Sequence, residues 1–229
     1  MKYDLSEKLS QLLLNGYCFL PELTCLKASE YKKTLTENKE KLYEENNRLH
    51  LQYLEDYRIH EEVMPALADL ANRHITKRKH LNDLYKVTRI INNNDSKEAY
   101  RAHFDSHLFT LVTPINIPHD PKSICNGELI LFNKIRKEPA NEFENIFGKI
   151  KFKKYCGKDG VENLQKNSAY KILNLVDRTP VLFLGRQCLH CNLPLAASFK
   201  QPRVTFLTHF FDVSPVFSIG NLNRILRGR

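Results

Sequence analysis

The apolar positions of this chain change their period once. Near the start, Leu5, Leu9, Leu12 and Leu13 recur at helical spacing behind Asp4, with Glu7 placed as in a capping box and Gly16 at the stop. A short amphipathic helix is predicted there. "GYCFLPEL" then reads as a short strand ended by Pro21, and from about Ser29 to Arg48 a Lys/Glu-rich stretch with sparse apolar residues reads as an exposed helix. Met64, Leu67, Ala68, Ala71 and Ile75 form a further helical stripe, best explained as core packing. From "LYKVTRII" onward the runs become short and β-rich: Leu84 to Ile91, Tyr100 to Ile117, Gly127 to Phe132, Pro180 to Leu184 and Pro202 to Val213. Turn-rich pieces such as "NNNDS" and "IPHDPKS" separate some of them.

Helices first and strands later predict a mainly β fold, a sandwich or barrel buttressed by N-terminal helices. One domain over 1–229 is expected, with mostly helical support over 1–83, a β core over 84–213 and a tail over 214–229. The stretch from Lys134 to Arg178, with mixed helical signals and the basic patch "KIKFKKYCGK", reads as an insertion between core strands and a candidate lid.

Composition narrows the classes. At 229 residues, 42% hydrophobic and 27% charged, the chain falls in the soluble globular range. No apolar run approaches the roughly 20 residues needed to span a bilayer, so no membrane is expected as a partner. The first 20 residues lack a basic start, a continuous apolar stretch and a small-residue cleavage site, which points to a cytoplasmic protein whose six cysteines stay reduced. The net charge of +9 would steer anionic partners without choosing among nucleic acid, phosphorylated molecules and carboxylates.

The candidate chemistry begins at "YRAHFDSHLF", where His103, Asp105 and His107 fall within five positions. They could be metal ligands, acids and bases, or clustered surface groups. In a strand His103 and Asp105 project together while Phe104 points away, which is half of a metal site. His107 would complete a local cluster, but three same-face positions on a straight strand span too far for one ion. Further on, "TPVLFLGRQCLHCNLP" puts His190 just past an apolar strand, and "PRVTFLTHFFD" presents Arg203 and Thr205 on one face of another.

His-x-Asp, a distant His, then an Arg on the next strand is the pattern of the iron(II)- and 2-oxoglutarate-dependent dioxygenases, and from about Leu84 to Val213 the chain resembles that superfamily. The opening "LLLNGYCFLPEL" is similar to the helix, glycine, strand entry of the branch related to phytanoyl-CoA hydroxylase. The resemblance implies a double-stranded β-helix core, a jelly-roll or cupin-like fold. It implies His103, Asp105 and His190 as iron ligands and catalytic centre, with three iron positions left for the cosubstrates 2-oxoglutarate and O2. Arg203 would hold the far carboxylate of 2-oxoglutarate bidentately, and Thr205 would add a hydroxyl hydrogen bond. Arg89, on the strand before the His-x-Asp turn, and His107 are candidates for substrate contact.

His209 competes with His190 for the distal position and loses, because it follows the cosubstrate arginine. "CLHC" suggests zinc, yet no second cysteine pair stands at finger-like spacing. Related halogenases carry a small residue at the Asp105 position, so the carboxylate argues for hydroxylation. Prolyl-hydroxylase-like members usually use Lys for the cosubstrate, so Arg203 points away from them. The AlkB-type nucleic-acid demethylases typically show Asn-x-Tyr before the His-x-Asp and a second Arg six residues after the first; here Asn94 and His209 stand in those places. The expected function is hydroxylation of a small amino acid-, peptide- or acyl-like molecule, an anionic one being favoured by the basic chain, with release of succinate and CO2. The alternatives are an AlkB-like demethylase, disfavoured by those two departures, and a catalytically silent β-sandwich binding module.

Overall fold

The computed structural model describes residues 3–37, 43–76, 81, 83–92, 98–120, 123 and 126–213. Helix α1 (Ser6–Asn15) forms as expected and stops at Gly16, whose φ of 84° lets its N–H return to Leu12 O at 2.8 Å. β1 (Tyr17–Phe19) follows at once. Helices α2 (Ala28–Glu37), α3 (Arg48–Asp56) and α4 (Met64–His74) complete the N-terminal layer, with β2 (Tyr43–Glu45) between the first two.

The helix expected from Ser29 to Arg48 is therefore too long. It ends by Glu37, and Tyr43 to Glu45 pair antiparallel with β3 (Leu84–Ile91), so that tertiary pairing overrides the helical propensity of a Lys/Glu-rich stretch. Residues 38–42 lie outside the described residues. α3 went unread, although Asn47 caps it by accepting from the amides of Leu49 and His50.

The β region forms two antiparallel sheets. The larger runs β1-β7-β4-β9-β3-β2, with β4 (His107–Asn116), β7 (Val181–Leu184) and β9 (Arg203–Asp212) at its centre. The smaller runs β6-β5-β8, made of β6 (Tyr170–Leu173), β5 (Leu129–Phe132) and β8 (Leu189–Asn192). Pro114, which cannot donate within a central strand, sits where the β4–β9 register shifts. β4 begins at His107, so Tyr100 to Ser106 is not the strand the alternation suggested; His103 joins the small sheet only through an isolated bridge to His190.

Strand alternation on β9 organises the molecule. Phe206, Thr208 and Phe210 face the N-terminal helices, where Phe206 meets the rings of His50, Tyr31 and Tyr53. Arg203, Leu207 and His209 face the other way, into a cavity between the two sheets. This is the double-stranded β-helix arrangement, with one face of the large sheet buried against helices and the other open to a ligand.

The stretch from Lys134 to Arg178 holds α5 (Glu142–Phe152), α6 (Lys158–Asn167) and β6. β6 extends the small sheet, and Val161 and Leu164 of α6 bury against Ile130, Phe132, Leu189 and Cys191 on that sheet's outer face. None of these residues lines the cavity, so the segment covers the outside of the core where a lid was expected.

Candidate metal centre

The cavity, about 820 Å³ in volume, is walled by β3, β4 and β9 on one side, by β5 and β8 on the other, and by Tyr43 and Glu45 of β2 at its edge. In its wall His103, Asp105 and His190 offer ligand atoms all within 4.8 Å of one another. Asp105 Oδ1 lies 3.8 Å from His103 Nε2, and Oδ2 lies 3.7 Å from His190 Nε2.

Backbone contacts place these three groups. His103 and His190 exchange both amide hydrogen bonds, at 3.0 and 3.1 Å, which holds the two imidazoles side by side with ring centres 4.4 Å apart. The Asp105 amide donates to Gly185 O at 2.9 Å. A Cβ at Gly185 would fall 2.7 Å from His107 O and 3.0 Å from Asp105 Cβ, so only glycine admits that close approach. Phe104 turns away from the cavity and packs edge-on against Phe152, in the cluster that α6 forms with the small sheet.

Each imidazole is also fixed in tautomer. His103 Nδ1 lies 2.8 Å from Arg101 O and His190 Nδ1 lies 3.2 Å from Cys188 O; a carbonyl only accepts, so each Nδ1 carries a proton, and in the neutral ring it is Nε2 that offers the lone pair to a metal. Burial in the pocket wall, reinforced by His190, depresses the His103 pKa, although 47% of its side-chain surface opens to the cavity. Burial opposes ionisation of Asp105, but His190, His209, His103 and the Thr110 hydroxyl outweigh it and hold the carboxyl well below the usual carboxylate range. Neutral imidazoles and an ionised carboxylate are the protonation states that ligate a metal.

His209 reaches the same centre. Thr110 donates to Asp105 Oδ2 at 2.5 Å, which commits its one proton; the 3.0 Å contact between Thr110 Oγ1 and His209 Nδ1 is then a bond donated by the imidazole. His209 lies 3.7 Å from Asp105 Oδ2 and stands outside the three-residue cluster. Its even spacing from Arg203 on β9 was the signal that it faces the cavity.

At the far end Arg203, 4% exposed, has no partner for Nε or Nη1 among the described residues. Burial, then repulsion from Arg89, push its pKa down to about 9 against the pull of Glu128, which leaves it charged at neutral pH. A buried guanidinium with orphaned donors calls for an anion. Thr205 is buried on the same strand face but lines none of the cavity.

Arg89 faces the cavity and donates to Glu98 at 2.8 Å, while Tyr43 donates to the same Glu98 oxygen at 2.6 Å. Glu98, which the sequence did not single out, is thus held by Arg89, Arg101 and Tyr43. Asn192, two residues beyond His190, lines the cavity with a buried Oδ1 that has no partner among the described residues. His107 does not line it; the ring stacks on Tyr85 and lies 5.1 Å from that of His209. Cys191, next to His190 on β8, points to the opposite side, and Cys188, which precedes β8, is buried in the main core; burial pushes their thiols up to about 12 and about 11, and neither joins the metal cluster, which removes both the zinc reading and a reactive-thiolate one.

Two imidazoles and one carboxylate on one side, with the cavity open on the other, fit a divalent transition ion that keeps free positions. No family model and no curated protein matches the sequence. Solved structures do match in shape. A Pseudomonas putida prolyl-4-hydroxylase superposes with a TM-score of 0.52 at 14% identity, over 90% of this chain and 98% of that one. SnoN, the non-heme alpha ketoglutarate dependent epimerase from nogalamycin biosynthesis, gives 0.55 at 14% identity over 94% and 87%. HygX from Streptomyces hygroscopicus, with iron bound, gives 0.53 at 9% identity over 93% and 87%. At such identities shape is what is shared, and the chain has the double-stranded β-helix fold of these proteins.

Proposed function

We propose that the protein is an iron(II)- and 2-oxoglutarate-dependent oxygenase that hydroxylates a small organic molecule. The observation that carries this reading is a single cavity holding both the His103, Asp105, His190 donor set and the orphaned donors of Arg203. When bound, Fe(II) and 2-oxoglutarate supply O2 activation, one oxygen atom going to a substrate C–H bond and the other to succinate, with loss of CO2.

The chain's own residues do the rest. His103 Nε2, His190 Nε2 and an Asp105 oxygen would hold the metal, and Thr110, pressed by His209, orients that carboxylate. Arg203 would take the distal carboxylate of 2-oxoglutarate, its buried setting excluding water from the pair. A carboxylate at position 105 supports hydroxylation over halogenation, since it leaves a halide no vacated position.

Arg101 and Tyr43, both exposed, stand at the mouth, and the more buried Arg89–Glu98 pair lines the cavity with Tyr85. A cavity of this volume suits an amino acid-, peptide- or acyl-like molecule, with an acidic group of the substrate met by Arg101. The lining also carries Glu45 and Glu98, a mixture of charge that supports a small molecule over a nucleic-acid strand, whose grooves are basic and aromatic throughout. Asn94, relevant to the AlkB-like reading, lies outside the described residues. The entry formed by α1, Gly16 and β1 supports the phytanoyl-CoA hydroxylase-like branch.

The test is incubation with Fe(II), ascorbate and 2-oxoglutarate, without and with metabolite pools. Slow succinate release without substrate, and products heavier by one oxygen atom with it, are expected. Iron binding with no succinate under any condition would leave a silent binding module, and turnover confined to methylated single-stranded DNA would favour the demethylase.

A further inference from the structure

Helix α5 is amphipathic with its faces reversed. Asn145, fully buried, takes hydrogen bonds from Arg136, and Glu142 lies 4.0 Å from the buried Arg186. Lys149, on the same side at i+4 and i+7 from these two, reaches Ser106 Oγ at 3.2 Å. The polar side therefore packs inward, against the turn that follows Asp105. The outward side is apolar: Phe143, Phe147 and Ile150, at i, i+4 and i+7, are 87, 69 and 65% exposed. A helix that contributes only to its own domain turns such a stripe to the core.

The border of this stripe is mainly lysine. Lys151 flanks it beside Glu144, and Lys153 and Lys154 follow in the next turn, all exposed. Three protruding side chains offer roughly 500 Å², short of the 800 Å² or so that each partner gives to a stable protein interface. A second copy would also bring the same lysines against these. The 214–229 tail carries Arg224, Arg227 and Arg229 with no acidic residue, so its charge does not complement the border either. A convex apolar ridge with a cationic border suits a planar anionic surface, where rings enter the headgroup boundary and ammonium groups stay with the phosphates.

We propose that α5 is a peripheral docking site for an anionic lipid bilayer, with Phe143, Phe147 and Ile150 entering the interface and Lys151, Lys153 and Lys154 pairing with its headgroups. This is contact from one side; no helix among the described residues is long and apolar enough to cross a membrane.

The test uses the full chain and vesicles of phosphatidylcholine with and without one-third phosphatidylserine. Wild type should co-sediment with the anionic vesicles and much less with the neutral ones. Phe143→Ser with Phe147→Ser should lower that binding tenfold or more, and neutralising the three lysines should cost roughly fivefold each. Both sets of residues are exposed, so thermal stability should hold, which separates lost docking from lost folding. The chain has no tryptophan, so Phe147→Trp provides a single reporter whose emission should shift to the blue on vesicles. Four results would each overturn the proposal: no binding to anionic vesicles, binding indifferent to the phenylalanines, an unshifted reporter, or a Phe-dependent dimer without vesicle binding, which would assign the ridge to a second copy.

Discussion

The two ends of the cavity are built on opposite terms. At the His103 end each polar group already has a protein partner: both Nδ1 atoms meet carbonyls, Asp105 accepts from Thr110, and the backbones of the two histidines are bonded to each other. At the Arg203 end a buried guanidinium keeps two donors without partners. The first end is a finished socket that a metal enters with little rearrangement. The second is held at a cost that an anion offsets, so ligand should matter more to the stability of that end than of the other.

The comparison breaks most completely at the histidines. His103→Ala or His190→Ala should abolish measurable Fe(II) binding, a loss beyond a hundredfold in a metal titration, while His209→Ala should leave most of it; full affinity in His190→Ala would dissolve the triad. Next, Arg203→Ala should weaken 2-oxoglutarate by roughly 2 to 5 kcal/mol, on the order of 30-fold to several thousand-fold. Iron affinity should stay within a few-fold. Because the substitution also removes a buried charge with two donors unpartnered among the described residues, the ligand-free variant should melt no lower than wild type, whereas a drop of several degrees would mean that Glu128 already serves as its counter-ion.

Gly185→Ala sharpens the comparison from the other side. The added methyl would press on His107 O and Asp105 Cβ, costing about 1–3 kcal/mol of stability and near tenfold in iron affinity, with 2-oxoglutarate dependence otherwise retained. The smallest effect at neutral pH lies across the sheet at His50, which is buried, bonded to Thr208 at 2.9 Å and depressed to about 3 by burial. Below the unfolded value of about 6.5 the unfolded chain takes up a proton that the folded chain refuses, so stability should fall as pH drops from there toward 3, by about 1.4 kcal/mol per pH unit at most. Denaturant titrations should show a shallower slope in His50→Gln, and equal slopes would remove His50 as the cause.

How far the sequence disclosed this arrangement follows from the range of each signal. Alternation is local, so it found β3, β5 and β7 and the placing of Arg203 on a strand; His103 and Asp105 do share a side, but through the bridge to His190 and the bond to Gly185 and not through the strand that alternation suggested. α1 was equally legible, because its cap and its glycine stop lie within the same few residues. β2 was invisible, since Tyr43 to Glu45 become a strand only through pairing with β3, and with it went the placing of Tyr43 and Glu45 at the mouth. Glu98 was missed for the same reason, its partners lying on other elements. His209 was weighed as a rival ligand. That it presses on Asp105 through Thr110 depends on a register between β4 and β9 that no single segment states.

The reciprocal backbone bridge between His103 and His190 also bears on how the molecule is made. It joins two segments far apart in the chain, and the pairing of β5 with β6 lies inside the loop that the bridge closes. Closing so long a loop is entropically slow, and contacts of that kind form late unless the intervening strands have already assembled. Iron would therefore arrive at a chain that has already folded. Metal supply would set how much of the protein is active without deciding whether it reaches its native state, and apoprotein made under iron starvation should remain a reserve that later iron can load.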